Sequence, residues 1–462
     1  MNEQRLELTE TDGAGNVITT YVSSPTGSEQ TCRIDVVEPT TKRPWQRLLD
    51  VFLPAGYPHS VTDDYLEYQI YDSLQAFASS IAGLLSSRAV LSSVGVGDAT
   101  ASPTAALLLS ILQESAGRIA TIIFADRFGT ALEPECKMYR LLADVLNDFA
   151  FVLDCLSPAF PKPIRVVILS FSSVLRALCG VAAGSAKASL SAHFARWGNL
   201  GELNAKDSSQ ETVISLMGMM AGSVVVSWVT SPMATWTTLI FLLAVHLETN
   251  RRAVRAVSMR TLNRQRATLV YHHLKRGHVP TPEEVSKQER IFEWDGILRD
   301  AADAITGHCL VGTSVAVPSR FSAPSGKRSM QVNSQWLSDL SKTRDQRYLL
   351  TIQDRSHRPQ TFIILHKEAV TTDILSGWWQ ALAMASECAR LESDTHSAED
   401  DLDEAMLVLL ARTAAESALL MQTYESELGK AGWDLDTNAL ETRSSRRISI
   451  AAPYQPSLQY RT

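Results

Sequence analysis

The side chains that could do chemistry in this chain are three groups of charged and amide residues set in apolar helical patterns. Such residues at helical spacing can bind a cation, pair with a basic side chain, or line a path for a polar solute. The candidate polar cluster comprises Glu114, Arg118, Asp144, Asn147, Asp148, Lys206, Asp207, Gln210 and Glu211. None of these residues is predicted to be catalytic.

Two of the groups have a simpler interpretation as internal ion pairs. Glu114 and Arg118 stand at i and i+4, in the order that favours a salt bridge within one helix. Asp144 and Asp148 share a helix face at the same spacing, where like charges repel unless a cation or a donor lies between them. An arginine partner within the helical bundle is the expected answer, and a functional cluster is the alternative.

The third group stands at the entrance to an apolar segment, residues 213–247, that contains no Asp, Glu, Lys or Arg. Ser208-Ser-Gln-Glu211 matches a capping box, which predicts a helix start there. One straight helix over the segment would be about 52 Å long, whereas the hydrocarbon core of a bilayer is about 30 Å thick. Pro232 therefore predicts a break. We favour one span over about 224–247, preceded by an amphipathic helix, over two short helices in a hairpin.

Motifs for catalysis or cofactor binding do not survive inspection. Gly95-Val-Gly-Asp98 resembles the start of a dinucleotide fingerprint but follows a helical pattern instead of a strand, and His272-His273 lacks further metal ligands. The net charge of -7 argues against a nucleic-acid partner. The six cysteines have no CxxC spacing and are typical of thiols in a reducing compartment. We predict a non-enzyme that binds no metal, cofactor or nucleic acid.

The elements that must position the polar groups are helices. Apolar residues recur every three or four positions over the core, residues 46–277, beginning with a stripe from Leu66 to Leu84. Further helices are predicted over about 104–126, 135–157, 164–196, 209–229 and 233–275. The fold class is therefore mainly α, with a multi-helix, membrane-associated core and a small C-terminal α+β module.

The segments around the core differ in composition. Two short runs before residue 45 are predicted to be paired strands. A segment rich in Pro, Ser and Gly is predicted to be a linker. Two runs near 348–352 and 361–365 are predicted to be strands. The predicted organisation is 1–45 N-terminal extension, 46–277 core, 278–316 helical connection, 317–330 linker, 331–428 α+β module with a terminal helix, and 429–462 disordered tail.

A membrane location is favoured by the flank of the apolar segment. Between Arg251 and Arg276 there are basic residues and no carboxylate, which is typical of a cytoplasmic flank and of attraction to anionic lipid. Membrane lipid is thus the expected partner, in an intracellular membrane whose organelle the sequence does not name. A soluble bundle with a solvated basic helix is the alternative.

Several blocks of sequence, in order along the chain, resemble the root UVB sensitive family, which is built on a domain of unknown function. The resemblance covers about 45–275, and Thr361-Phe-Ile-Ile-Leu-His-Lys367 with the helix after it resembles the C-terminal part of the family. The blocks in the core are Phe52-Leu-Pro-Ala-Gly-Tyr-Pro-His-Ser-Val61, Tyr65-Leu-Glu-Tyr-Gln69, Asp72-Ser-Leu-Gln75, Val94-Gly-Val-Gly-Asp98, Ala143-Asp-Val-Leu-Asn-Asp148 and Ala205-Lys-Asp-Ser-Ser-Gln-Glu-Thr212.

The resemblance implies a membrane-associated protein with no established enzymatic activity. Plant members are linked to UV-B responses, auxin transport and vitamin B6 homeostasis, and some act in complexes. The chain departs from them in lacking a plastid-type transit peptide, so an organelle is not carried over. The first hypothesis is a non-enzymatic membrane protein that acts as an interaction platform for a family member or another protein. The alternatives are a transporter of a small polar or anionic solute and a soluble cofactor-handling protein.

Overall fold

The computed structural model describes residues 7–11, 17–25, 32–37, 52–93, 103–314, 347–354, 358–394 and 399–449. The chain divides into two compact units. Unit 1 comprises Met1–Ile123 and Tyr139–Val257, and unit 2 comprises Phe124–Met138 and Ser258–Thr462. The predicted linker, the predicted turn at Gly95-Val-Gly-Asp98 and the residues after Ser449 lie outside the described part.

The mainly α class is confirmed, and most helices of unit 1 follow the predicted pattern. The single helix predicted over 233–275 is wrong, because one helix ends at Ala256 and another begins at Arg264. The helices of unit 1 are α1 Tyr65–Ser93, α2 Pro103–Phe128, α3 Cys136–Leu156, α4 Lys162–Phe194, α5 Leu200–Trp228 and α6 Pro232–Ala256. The N-terminal strands β1 Glu7–Thr11, β2 Val17–Pro25 and β3 Cys32–Val37 form an antiparallel sheet in that order, which confirms the predicted pairing of the last two.

The apolar stripe of α1 does not face the protein interior along its first half. Leu66, Ile70 and Leu74 are 41%, 52% and 49% exposed. The face that is buried there instead carries Tyr68, Gln69 and Gln75. Only further along does the stripe reach a core, where Ile81 and Leu85 pack with Phe151 of α3 and with leucines of α6.

The apolar segment 213–247 is divided between two helices. The backbone breaks after Trp228, and Ser231 caps α6 by accepting a hydrogen bond from the backbone N–H of Ala234. The favoured single span over 224–247 is therefore wrong. The predicted helix start at Ser208 is also wrong, because α5 already begins at Leu200 and the tendency of the preceding residues to continue the helix outweighs the capping pattern.

Glycine spacing in α5 allows this helix to lie close against α1. A Cβ added at Gly218 would lie 2.6 Å from the Cβ of Ser80, and one added at Gly222 would lie 2.7 Å from Leu84 Cδ1. The small-xxx-small pattern at Gly218 thus performs the close crossing that such patterns permit. At the similar pattern of Gly180 and Gly184, no atom of another element in the described part of the chain lies within 4 Å of either added Cβ.

Four helices of the described part are long and apolar enough to cross a membrane, judged by length and composition. They are α1, Leu107–Ala131, α4 and α5. Lengths of 25 to 33 residues correspond to about 38 to 50 Å of helix, which exceeds the hydrocarbon thickness of a bilayer.

Unit 2 contains the α+β module. Its helices are α7 Arg264–Leu274, α8 Pro282–Gln288, α9 Thr371–Asp394 and α10 Glu399–Lys430. Its strands are β4 Ile297–Arg299, β5 Ile305–Val311, β6 Tyr348–Asp354, β7 Gln360–His366 and β8 Arg447–Ile448. The strand order is β4-β5-β7-β6, with β5 and β7 parallel and β8 also paired with β7.

The core of unit 2 is apolar and is centred on α9. Trp378 and Trp379 are fully buried, and their indole N–H groups donate to Thr268 Oγ1 and to the carbonyl oxygen of Ala267, each at 3.0 Å. Ile363 of β7 is also fully buried. A buried indole satisfied in this way retains the whole hydrophobic benefit of its ring.

Three sequence expectations for unit 2 are corrected. The helical connection over 278–316 is wrong for β4 and β5, since residues 305–311 alternate between exposed or half-buried and buried positions as a strand does. The tail is ordered to Ser449, because Trp433 and Leu440 are buried and β8 pairs with β7. The basic stretch is not wholly solvated either. Arg266 is 2% exposed and pairs with Glu289.

Candidate functional site

Seven polar side chains from α1, α3 and α6 meet inside unit 1 and form a site that we call the polar centre. On each helix they stand three or four positions apart, so each helix presents one polar stripe to the other two. His246 and Asn250 are 1% and 0% exposed. The polar centre comprises Asp72, Gln75, Arg140, Asp144, Asp148, His246 and Asn250.

Arg140 joins two carboxylates from different helices. Its Nη2 donates to Asp72 Oδ1 at 2.6 Å, and its Nη1 donates to Asp144 Oδ1 at 3.2 Å. Its Nε donates to the hydroxyl oxygen of Tyr68 at 3.4 Å. The arginine partner predicted for the Asp144 group is therefore present, one helical turn before Asp144 on α3.

His246 lies between two hydrogen-bond acceptors. Its Nδ1 is 2.7 Å from Asp148 Oδ1, and its Nε2 is 2.8 Å from Gln75 Oε1. The amide of Gln75 is oriented by its own Nε2, which donates to Asp72 Oδ1 at 3.2 Å. Since both ring nitrogens face acceptors, the surroundings suit an imidazolium that donates in both directions.

The charges of the polar centre do not balance. Ionised Asp72, Asp144 and Asp148 oppose Arg140 and, at most, one imidazolium. Asp148 Oδ2 is also a buried oxygen without a hydrogen-bond partner among the described residues, as is the Oδ1 of the neighbouring asparagine in the centre. A buried net charge is costly, so neutrality requires one further proton on a carboxyl group. The arrangement can therefore take up and release a proton.

A second group of polar side chains, the Asp207 cluster, joins α1, α4 and α5. Asp207 accepts from Gln69 Nε2 at 2.6 Å and pairs with Lys187 Nζ at 2.7 Å. Lys187 also lies 2.7 Å from Glu211 Oε2. Gln210 accepts from Gln69 at 2.7 Å and donates to the carbonyl oxygen of Phe52 at 2.6 Å. This cluster is fixed largely by mutual pairing.

The structure gathers most, though not all, of the predicted polar residues into these two sites. Asp144 and Asp148 lie in the polar centre, and Asp207, Gln210 and Glu211 lie in the Asp207 cluster. Lys206 is half-buried on the same helix. Asn147 donates to Ser79 Oγ at 3.4 Å. Glu114 and Arg118 form the expected pair at 2.6 Å on α2, with side chains 62% and 76% exposed, and bond to each other instead of to either site.

Several members of the two sites were missed by reasoning from the sequence. They are Gln69, Asp72, Gln75, Arg140, His246 and Asn250. The signal was their spacing: polar residues three apart on α1, four apart on α3 and four apart on α6 form stripes, as apolar residues do. A search for polar stripes within apolar helices would have found all three. Among the described residues, no group of His, Cys, Asp and Glu has a metal-binding arrangement.

Comparison with protein families gives two matches that together span most of the chain. The model described as the vitamin B6 photo-protection and homoeostasis domain matches residues 38–277. The model described as the C-terminal part of root UVB sensitive protein matches residues 326–446. Both candidate sites fall within the first match.

Individual relatives are similar over different shares of their length. RUS family member 1 of Dictyostelium discoideum is 41% identical over 250 residues, which is 53% of this chain and 47% of that protein. Protein root UVB sensitive 3 of Arabidopsis thaliana is 33% identical over 346 residues, 74% of this chain and 76% of the relative. Root UVB sensitive 2, chloroplastic, of the same plant is 29% identical over 60% of this chain and 64% of its own length. The chain thus spans less than two thirds of the length of the first and the third of these relatives. No solved structure matches.

Proposed function

Because the chain belongs to the root UVB sensitive family, we propose that it is a non-enzymatic protein of an intracellular membrane, in which unit 1 is embedded in lipid and serves as a platform for protein partners. The observation that carries the membrane part is the reversed polarity of unit 1. The polar centre is buried, as are Gln69 and Asp207 of the Asp207 cluster, whereas large apolar side chains are exposed on the helices around them. Examples are Leu107, Ile122, Met220, Trp228 and Phe241.

The free-energy cost of exposing such a surface differs between water and lipid. In water, apolar patches of this extent are rare on monomers and mark interaction sites. In lipid they cost nothing, and the backbone polar groups of a spanning segment are satisfied within its helix. Charged side chains are tolerated there when they face one another inside the bundle, as those of the polar centre do. Lipid is therefore the environment that suits both the surface and the interior of unit 1.

The platform role is supported by α2. Within the described residues, only 6% of the most apolar 18-residue window of the candidate span Leu107–Ala131 is buried. A helix so little covered by its own chain can pack against a transmembrane helix of a family member or another protein, which in lipid depends on van der Waals contact. The first family match, named for vitamin B6 photo-protection and homoeostasis, supports a role connected with that vitamin or with the UV-B response.

Membrane integration is tested by alkaline carbonate extraction of cell membranes that contain the full chain. The protein should stay in the pellet with an integral marker, and detergent should release it. Release of the whole chain by carbonate would contradict integration and favour the soluble cofactor-handling alternative.

The platform is tested by photo-cross-linking in intact membranes. A photoreactive amino acid replaces Ile122 on α2, which is 69% exposed, or Leu419 on α10, which is 63% exposed, as the matched control. A discrete protein adduct at position 122 and none at 419 is the expected result. Lipid adducts alone at position 122 would support embedding and contradict the platform.

A second candidate function, transport of a small polar or anionic solute, is favoured by the unbalanced charge of the polar centre. A proton-binding group inside a membrane bundle is a common element of pumps and transporters. The centre lies against α1, one of the four candidate spans. In this alternative, protonation of the Asp148 and His246 pair is coupled to passage of the solute.

Transport is tested with the full chain in proteoliposomes loaded with anionic metabolites, including pyridoxal phosphate. The transporter hypothesis predicts flux that responds to a pH gradient and that Asp148→Asn uncouples from it. The control is Asp126→Asn, which changes a carboxylate on α2 that is 80% exposed. Absence of flux for every solute would leave the platform as the remaining membrane function.

A further inference from the structure

A cavity of about 580 Å³ lies within unit 1 and shares no residue with the polar centre or the Asp207 cluster. Its walls come from α1, α3, α4 and α5. The volume is within the range of pockets that take small molecules. The cavity has an apolar wall with a few polar groups. The polar ones are Ser80, Ser86, Ser87, Asp154, Arg176 and Ser215.

Asp154 is the most unusual of these groups because its carboxylate is buried and only one of its two oxygens accepts hydrogen bonds from the described residues. Its side chain is 1% exposed. Oδ2 accepts from Ser86 Oγ at 2.7 Å and from Arg176 Nη2. Oδ1 has no hydrogen-bond partner among the described residues. A buried carboxylate oxygen in this position needs a donor.

Arg176, which is paired with Asp154, supplies the complementary chemistry. Its guanidinium lies 5.5 Å from the centre of the Phe151 ring and donates to Ser172 Oγ at 3.2 Å and to Ser86 Oγ at 3.0 Å. A guanidinium has five N–H donors, and its bonds to the described residues use three of them. With a side chain 39% exposed, it retains donors for an anion.

The charge of the cavity restricts what it can hold. Asp154 and Arg176 already neutralise each other, so a ligand with a net charge would leave one charge uncompensated beside the buried Asp154 carboxylate. A net-neutral molecule that carries both an N–H donor and an anionic acceptor satisfies Asp154 Oδ1 and the remaining guanidinium donors together. The apolar wall, which includes Leu84 and Met219, accommodates the rest of the molecule.

We propose that this cavity binds a zwitterion with a primary ammonium group and an anionic group, with the ammonium donating to Asp154 Oδ1 and the anion accepting from Arg176. The phosphoethanolamine headgroup of a lipid and a free ammonium phosphodiester share this chemistry, because each carries one positive and one negative charge. The proposal goes beyond the platform role and does not depend on it, since a cavity ligand of either source binds whether or not α2 has a partner.

The decisive comparison is between ammonium groups that can and cannot donate. Purified full chain in detergent is exposed to equimolar phosphatidylethanolamine and phosphatidylcholine and analysed by native mass spectrometry, with thermal unfolding as the second measurement. Free glycerophosphoethanolamine and glycerophosphocholine, whose phosphodiesters carry a single negative charge like the lipid headgroups, form a parallel pair. The choline forms have no N–H, so each ethanolamine form that binds should bind about tenfold more tightly than its choline counterpart, as expected for the loss of a charge-assisted hydrogen bond.

Each possible binding result either supports the proposed zwitterion site or overturns it. Preference for the lipid ethanolamine alone assigns the site to a headgroup, and binding of free glycerophosphoethanolamine with the same preference assigns it to a soluble zwitterion. Equal binding of ethanolamine and choline forms, or binding of neither, overturns the proposal without any variant. Asp154→Asn should remove the preference, and Asp126→Asn should retain it. If the first variant does not fold, the comparison within the native chain still stands.

Discussion

The two units of this protein place polar and apolar side chains in opposite ways. In unit 2, Trp378, Trp379 and Ile363 are fully buried around a small sheet. In unit 1, Trp228 is 83% exposed and Phe241 66% exposed, while His246 and Asn250 are buried. Both units contain long helices in which apolar residues recur at helical spacing. The difference teaches that hydropathy patterns find a helix face but do not say whether that face meets protein, water or lipid.

Buried charges make a second comparison between the units. In unit 2, Lys137 and Arg266 meet Glu289, and Glu135 accepts from Asn263 beside them, so two basic groups oppose two acidic ones. In the polar centre of unit 1, three carboxylates face two cations at most. Balanced buried pairs fix a structure, whereas an unbalanced centre must bind something positive to become neutral.

The largest effect is expected from removing a buried indole in unit 2. Trp379→Ala should lower the free energy of unfolding by about 3–5 kcal/mol, because it removes core contacts and the hydrogen bond from the indole to the carbonyl oxygen of Ala267. The matched variant in unit 1, Trp228→Ala, should change it by less than about 0.5 kcal/mol in detergent. Denaturant unfolding followed by circular dichroism measures both. Similar losses at the two positions would show that unit 1 buries Trp228 against protein.

A somewhat smaller effect is expected from breaking the polar centre. Arg140→Gln leaves Asp72 and Asp144 without their cation and should destabilise unit 1 by about 3 kcal/mol, near the lower end of the range for buried pairs because glutamine keeps two donors. Thermal unfolding in detergent is the measurement. Adding Asp144→Asn should recover part of the loss, since it removes one of the stranded charges. No recovery in the double variant would argue that the guanidinium acts through packing instead.

A variant of the exposed Glu114–Arg118 ion pair on α2 can show whether this helix lies in lipid or in water. In water, Glu114→Gln should cost at most about 0.5 kcal/mol, as for other surface pairs at this spacing. In lipid it leaves the Arg118 guanidinium unpaired and should reduce insertion of α2 by about 2 kcal/mol. Glycosylation of an acceptor site placed next to α2 in the full chain reports insertion. The double variant with Arg118→Gln should insert at least as well as the native chain, and an unchanged single variant would place this turn of α2 in water.

Most helices of unit 1 are predictable from the sequence because long apolar periodicity is a strong local signal. Predicted helices over 104–126, 135–157 and 164–196 correspond to α2, α3 and α4 within two residues at each end. Local pairs were also readable, since Glu114 and Arg118 lie one turn apart. Strands β4 and β5 were missed because short alternating runs with Gly307 and His308 inside them give a weak period-two signal.

The composition of the polar centre was only half predictable. Asp144 and Asp148 were identified from their spacing, but His246 is 98 positions from Asp148 and Gln75 is 171 positions from His246. Which helices lie side by side is decided by packing, including the close approach of α5 to α1 at Gly218, and no local pattern encodes it. Sequence patterns therefore identify the residues on one helix face, whereas their partners on other helices depend on the tertiary structure.

The smallest effect is expected in the balanced centre of unit 2 and concerns pH. Burial alone would raise the pKa of Glu289, but Lys137 at 2.6 Å and Arg266 at 2.9 Å hold it below its ordinary value of 4.5. Because the folded pKa is the lower one, the stabilisation is complete above pH 4.5 and is lost as the pH falls through the folded pKa. The free energy of unfolding should therefore fall more steeply with acidification below pH 4.5 in the native chain than in Glu289→Gln.

Burial raises the pKa of Glu135, which acts in the opposite direction. That carboxyl is present in both proteins, so most of its contribution cancels in the difference between the two curves. Both curves are measured by denaturant unfolding at a series of pH values. Hydrogen exchange of the α9 amides reports the unfolding of unit 2. Parallel curves would mean that Glu289 gains no stabilisation from its two cations, and the contrast between a balanced centre in unit 2 and an unbalanced one in unit 1 would then lose its physical basis.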